Sequence, residues 1–351
     1  DFYFSFDFNE LNQADGVISY YFSVTDNDII NNYKTTTSNN FVFEFPNRQE
    51  IDEASKEKFD LLVKNFEESR ELAKDIQKDL QNLQMKNMDI SISDWEKSQM
   101  VNDIISKQNK LEKLYDQIKQ DNENLNNYLN SYNEQSDEIV EKQKQIEELL
   151  DEVFTDELKK LMEEFNELAK QFDSKELNKL SNQMNLTFED LQKQLDRNLE
   201  MLRKMKVEQK LQSVIDQLNK IAEEESKLAQ EVQEDKNFEE VKEKVTKNQE
   251  EINQLQKSIK DALEMNNELE EPLNFDDFSE DFEDINKSFE ESKEQLDKKN
   301  KKKSGESTKN TSEKLRNMAF GMQQMLDMNT QQQNMESIEN LKQILSNLIS
   351  L

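Results

Sequence analysis

The stretch FVFEFPNRQEIDEASKEKFDLL, Phe41 to Leu62, changes rhythm at Pro46. Ahead of the proline, Phe41, Phe43 and Phe45 alternate with other residues, as on a half-buried strand. Behind it, the apolar residues recur three and four apart, as on a helix. Pro46 closes the strand because it has no N–H to give a ladder.

Upstream, Phe2, Phe4, Phe6 and Phe8 alternate in the same way, Asp15-Gly16 is a turn signal, and Val17 to Val24 reads as a second strand. Three strands sharing one aromatic face cannot bury that face alone in water. Residues 1–46 are therefore expected to be the terminal strands of a truncated β-sandwich whose earlier strands lie upstream of Asp1. The competing arrangement packs them against the first helices.

Downstream, composition dictates helices. Of 351 residues, 33% are hydrophobic and 35% charged, with three Gly and two Pro. Turn-formers are too scarce for an all-β fold, so long helices are the economical solution. Helices this polar pair along narrow apolar seams.

The seams can be read position by position. Phe59, Leu62, Phe66, Ala73, Ile76, Leu80 and Leu83 share one stripe, broken at Ser69. Ser93 with Glu96 forms a capping box for a helix bearing Ile104, Leu111, Tyr115, Ile118, Leu125, Leu129 and Tyr132, with Gln108 and Asn122 as polar gaps; residues 88–93 read as the preceding turn. A third segment starts near Ser136. Thr155 is the expected cap of a fourth, which bears Leu158, Leu161, Phe165, Leu168 and Phe172.

LTFEDL, Leu186 to Leu191, reads as a fresh helix start, with Thr187 as N-cap and Leu186 stapled to Leu191. Beyond it, Leu211, Val214, Leu218, Ile221, Leu228 and Val232 carry the 3.5-residue repeat of a coiled-coil seam. Phe238, Val241, Val245, Ile252, Leu255 and Ile259 resume it after a phase shift. Glu225 and Asn248 occupy seam positions, where polar residues weaken packing and fix register.

Pro272 interrupts the helices inside an acidic patch, Glu268 to Glu283. The expected division is strands at 1–46, a helical coiled-coil or bundle region at 47–297, a Lys/Ser-rich linker at 298–311, and Met/Gln-rich helices at 312–351. The apolar ending, Ile344 to Leu351, suggests that the natural chain continues. The fold class expected is mainly α: elongated antiparallel helical hairpins or coiled coil after a short β region.

Several chemistries are excluded. A formal charge of −31 opposes sequence-independent nucleic-acid binding, which needs clustered Lys and Arg. Without His or Cys there is no His-dependent triad, thiolate nucleophile, disulfide or CxxC metal site. Gly16, Gly305 and Gly321 are isolated, so no phosphate-cradling loop exists. No apolar run approaches the roughly 20 residues of a transmembrane helix.

Three local features carry a chemical reading. Asp26 and Asp28 offer hard oxygen ligands of the kind Ca²⁺ takes, although an Asx-rich turn is the better reading. Met318, Met322, Met325, Met328 and Met335 suit a soft binding face, but their helical spacing favours a packing seam. Lys298 to Lys303 read as a solvated linker, or as a partner for the acidic patch before them. The sequence thus nominates no catalytic, cofactor-binding or metal residue, and expects no cofactor.

The segments ADGVISYYFSVTDND, TTTSNNFVFEFPNRQE, EIVEKQKQIEELLDEVFTDELKKLMEEF, LTFEDLQKQLDRNLEMLRKMKVEQKL and AFGMQQMLDMNTQQQNMESIENLKQILSNLISL occur in that order. As a set they resemble a family of large Bacteroidota membrane proteins of unknown function. Ile29 follows Asp-Asn-Asp where relatives in that family carry Gly. The resemblance implies N-terminal transmembrane segments, an Ig-like sandwich upstream and an extracytoplasmic location, and it implies no reaction.

The expected function is a non-enzymatic helical scaffold of a membrane-anchored protein, engaging protein partners or a second copy of itself through coiled-coil seams. It would bind no nucleic acid, and this region would not insert into the membrane. The alternative is a mechanical or regulatory arm coupled to a catalytic domain outside this sequence.

Overall fold

The computed structural model describes residues 17–27, 33–44, 46, 48–87, 93–132, 136–171, 174–234 and 237–349. The chain is mainly α, with a small β region at the start. The strands are β1 (Val17–Tyr20), β2 (Ser23–Thr25), β3 (Thr35–Thr37) and β4 (Phe41–Glu44). The helices are α1 (Arg48–Asn87), α2 (Asp94–Tyr132), α3 (Asp137–Val153), α4 (Asp156–Gln171), α5 (Ser174–Gln233), α6 (Phe238–Asn267), α7 (Ser279–Asp297) and α8 (Lys301–Ile349). Two compact units result: Asp1–Gln135 with Asp156–Phe188, and Ser136–Thr155 with Glu189–Leu351.

In the first unit, β1 pairs antiparallel with β4 and, nested inside, β2 pairs with β3. The strand expected over Val17–Val24 breaks at Tyr21-Phe22, because the register slips by one residue between the two pairs. Ser38 bridges the slip: its Oγ accepts from the Phe22 N–H and its own N–H donates to the Phe22 carbonyl. Tyr20 stacks on Phe41 at 5.5 Å and Phe22 meets both rings edge-on, yet Phe22 and Phe41 stay exposed. The strand expected at Phe2–Phe8 and the turns at Asp15-Gly16 and 88–92 lie outside the described residues.

The hairpin of α1 and α2 is fixed by three contacts in one antiparallel register. Asp79 meets Lys107 at 2.6 Å, Asn65 donates to Asp121 at 2.8 Å, and Lys58 sits over the Tyr128 ring at 5.3 Å. The expected stripe residues Phe59, Leu62, Phe66, Ile76, Leu80 and Leu83 on α1 are buried, as are Ile104, Leu111, Ile118, Leu125 and Leu129 on α2. Ser69, Gln108 and Asn122, the polar gaps in the two stripes, are buried too.

The Ser93 capping box forms as read. Ser93 Oγ accepts from the Glu96 N–H, and Glu96 Oε2 accepts from the Ser93 N–H. Ser136 caps α3 one way, its Oγ accepting from the Ile139 N–H, and α4 starts directly after Thr155.

Two expectations are corrected. LTFEDL is no helix start: α5 runs unbroken through it, Thr187 Oγ1 donates back to the Gln183 carbonyl, and Leu186 faces solvent. The motif matched a cap by composition, but Phe188, Leu191 and Leu195 continue a buried stripe that holds the helix on. Nor is 298–311 a linker. Only a tight turn separates α7 from α8, with Lys299 in the left-handed region and Asn300 Oδ1 accepting from the Lys303 N–H. Ser304, Gly305, Thr308, Thr311 and Ser312 are the buried face of α8. Their small size is what lets α8 approach α5 closely: a Cβ on Gly305 would stand 3.4 Å from the Ala229 carbonyl, and Ser312 Oγ donates to the Ala222 carbonyl at 2.6 Å.

The acidic connection around Pro272 is held by side-chain amides. Asn266 Oδ1 accepts from the Leu273 N–H while its Nδ2 donates to the Leu273 carbonyl, each at 2.8 Å. Asn329 clamps Asn274 through the same two atoms at 2.9 Å.

The contrast between Ser93 and Thr187 is directly testable in the first unit, where the chain's one tryptophan, Trp95, gives a fluorescence signal. In urea denaturation, Ser93→Ala is expected to cost about 1 kcal/mol through the lost cap. Thr187→Ala should stay within about 0.5 kcal/mol of the parent, since alanine suits a helix interior. The opposite ranking would restore a helix start at Thr187.

Candidate functional site: a buried polar layer in the second unit

In the second unit, α5 to α8 run alternately up and down around one apolar cluster. Side-chain contacts fix their levels. Between α5 and α6, Lys210 pairs with Asp261 and Glu231 with Lys244. Between α6 and α7, Lys242 pairs with Asp297 and Gln249 donates to Glu290. Between α7 and α8, Ser288 bonds Thr311. The Ala229–Gly305 and Ala222–Ser312 approaches align α5 with α8.

These registers bring Glu225, Asn248, Ser288, Ser292, Thr308 and Thr311 to one level of the bundle. All six are buried, and Glu225, Ser292, Thr308 and Thr311 are fully so. Above and below lie the seam residues Ile221, Leu228, Val245 and Ile252, all buried as the 3.5-residue repeat predicts.

Within the layer, Asn248 Nδ2 donates to Glu225 Oε1 at 2.8 Å. Ser288 and Ser292 both reach Thr311 Oγ1, at 2.8 and 3.3 Å, and Ser292 Oγ donates to the Ser288 carbonyl. Glu225 Oε2 and Thr308 Oγ1 take no partner among the described residues. Burial pushes the Glu225 carboxyl up to about 8; the Asn248 hydrogen bond pulls the other way and the neighbouring Glu224 adds to the rise. At neutral pH, Glu225 is therefore a protonated acid inside an apolar bundle. Completely shielded from solvent, it cannot touch a substrate in this arrangement, so it is no general acid or base.

A second buried polar contact lies in the same unit. Lys142 on α3 spans both carboxylate oxygens of Glu208 on α5, with both side chains nearly closed to solvent. An open cleft beside it is lined by Ser136, Ile139, Glu208, Gln212, Leu326 and Asp327. Lysine and carboxylate satisfy each other there, which makes the pair a bolt between helices.

The other nominated residues stay apart. Asp26 Oδ1 accepts from the Lys34 N–H at 2.9 Å and the Asp26 N–H donates to the Lys34 carbonyl, which is the work of a turn. Asp28 lies outside the described residues. Among the described residues, no group of three or more acidic side chains is placed to hold a metal ion. Met318 and Met322 are core, Met325 is half-buried and Met328 exposed, while the Met335 side chain lies outside what is described.

The seam reading found Glu225 and Asn248 but not their pairing, and missed the hydroxyls of α7 and α8 altogether. The signal was present as Ser and Thr at helical spacing: 288 and 292, then 304, 308, 311 and 312. The chain matches no protein-family model, and neither a curated protein nor a solved structure matches it.

Removing one partner of the pair and removing both should differ in sign. Asn248→Leu leaves the Glu225 carboxyl without its donor and is expected to cost about 1–3 kcal/mol. Glu225→Leu combined with Asn248→Leu should recover that loss or exceed the parent in stability, and should broaden the amide NMR spectrum as the register loosens. Thermal melting of the two variants checks this. A double variant less stable than the single would mean that the pair stabilises the bundle outright.

Proposed function

We propose that this chain is a non-enzymatic helical scaffold region of a membrane-anchored protein, on the extracytoplasmic side, that holds protein partners or a second copy of itself. The observation that carries the reading is where the apolar stripes went. Most seam positions from Phe59 to Leu326 are buried within the chain, with Tyr132, Leu161, Leu168 and Phe238 half-buried, so the faces left for other molecules are charged and carry isolated large apolar side chains. Leu61, Met85 and Trp95 stand out in the first unit, and Phe320 and Met328 in the second. Side chains of this kind, placed singly on rigid helices, suit helix-on-helix docking.

The membrane anchor and the location rest on the family resemblance alone. No described helix is long and apolar enough to cross a membrane. An arm that transmits movement to a catalytic domain is the second reading. The buried Glu225 layer favours it, because a titratable core residue gives a bundle two states to move between.

Photo-crosslinking in the source organism tests the scaffold. A photoreactive residue at Trp95 or Met328 should give discrete adducts, which the same residue at Glu243 or Lys302 should not. Adducts of twice the chain mass would identify self-association. Equal labelling at all four positions, or none at any, would remove the reading.

A further inference from the structure

We propose that the Glu225 layer is a proton-operated lock: the α5–α8 bundle is closed while the Glu225 carboxyl carries its proton and loosens at that layer when the proton leaves. The inference concerns regulation of the bundle and does not depend on the scaffold reading.

The geometry supplies both states. In the closed state one carboxyl oxygen accepts from Asn248 and the other holds the proton, so the side chain is close to neutral in an apolar seam. A carboxylate at the same place would need two or three donors, and Asn248 gives one. Of the layer's hydroxyls, Ser288 and Ser292 are committed to Thr311 and to the Ser288 carbonyl, and Thr311 to the Ser307 carbonyl, while Thr308 Oγ1 makes no bond to Glu225 or to any other described residue.

No described cation of the packed helices acts on Glu225: Lys227, two residues further along α5, is exposed and makes no ion pair with it. On α5 the group acting on Glu225 is Glu224, which opposes ionisation. On α6, Lys244 pairs with Glu240 and Glu231, and Lys247 with Glu251. On α7, Lys287 pairs with Glu283 and Asp284, and Lys293 with Glu290, while Glu291 is exposed. On α8, Lys302 pairs with Glu306 and Lys309 with Glu313. Ionised Glu225 would thus face desolvation with one hydrogen bond and no countercharge, and the low-cost remedy is to open the layer to water.

The sign follows from linkage. The carboxyl is raised in the closed bundle to about 8 from an ordinary 4.5, so an open bundle releases the proton first. The stability is complete below about 4.5, falls as pH rises toward 8, and levels off above it.

Because these 351 residues contain no Cys, one buried thiol can report opening in this chain. Leu228→Cys, one turn from Glu225, is labelled with a neutral maleimide, and the rate is divided by that of the same variant carrying Glu225→Gln, which cancels the thiol's own pH dependence. The ratio should climb by up to about tenfold per pH unit between about 5 and 8 and flatten beyond. A ratio flat in pH overturns the lock. A matching climb at Leu83→Cys in the first unit would also overturn it, since the loosening would then be general. If the glutamine variant does not fold, the same climb-and-plateau, after correction for a model thiol, is required of Leu228→Cys alone.

Discussion

Narrow apolar stripes are the constraint on which the rest of this structure depends. With 33% hydrophobic residues, a helix here can offer a neighbour only one seam, so every helix must be aligned on another with little surplus. A seam that narrow would slide if it were uniformly Leu and Ile, because a shift of one heptad repeats the same contacts. The chain prevents sliding with polar residues inside the seams: Asn65 on Asp121 in the first unit, and Glu225 on Asn248 and Ser288 on Thr311 in the second. Each contributes little net stability, but each costs heavily when displaced, since its partner is then buried alone. Surface ion pairs do less. Most of those within a helix are i to i+3 or i to i+4 contacts between exposed side chains, worth tenths of a kcal/mol.

The same constraint explains the loops. A chain with three glycines cannot close its connections through left-handed glycine turns, so asparagines do the work. Asn266 and Asn329 each present an amide as though it were one more peptide unit, satisfying the N–H and C=O of a single loop residue. Where a left-handed residue is needed, Phe278 and Lys299 adopt it. Phe278 holds that conformation packed against the core cluster and beside Gly321, so buried aromatic area offsets the backbone strain.

Apolar periodicity was legible almost position by position, from Phe59 to Ile259, because a buried stripe leaves a period that solvent faces do not share. The capping box at Ser93 was legible because its two halves lie three residues apart and interact locally. Thr187 and the 298–311 segment were misread for one reason. In both, a local compositional signal competed with tertiary packing, and packing won. Ser, Thr and Gly between lysines mean a linker when nothing lies opposite, and a close-packing face when Ala222 and Ala229 do. That difference resides in α5, about eighty residues away, and no window along the chain contains it. The pairing of Glu225 with Asn248 was half legible: each was seen as a seam exception, and their meeting depended on the register across Asn237.

The polar layer also explains why the small-residue stripe and the buried acid sit together. Close approach of α8 to α5 requires side chains no larger than Ser or Thr, and their hydroxyls lose water as they pack. Ser292 and Thr311 recover a bond by turning back onto the carbonyl of the preceding helical turn, whereas Ser304 Oγ and Thr308 Oγ1 are buried without a partner among the described residues. A second carboxylate or a lysine at this level would not fit the gap, so the acid on α5 has no cation to pair with, and neutrality has to come from its own proton. Tight packing on one side of the bundle and a titratable core on the other are thus two consequences of a single short interhelical distance.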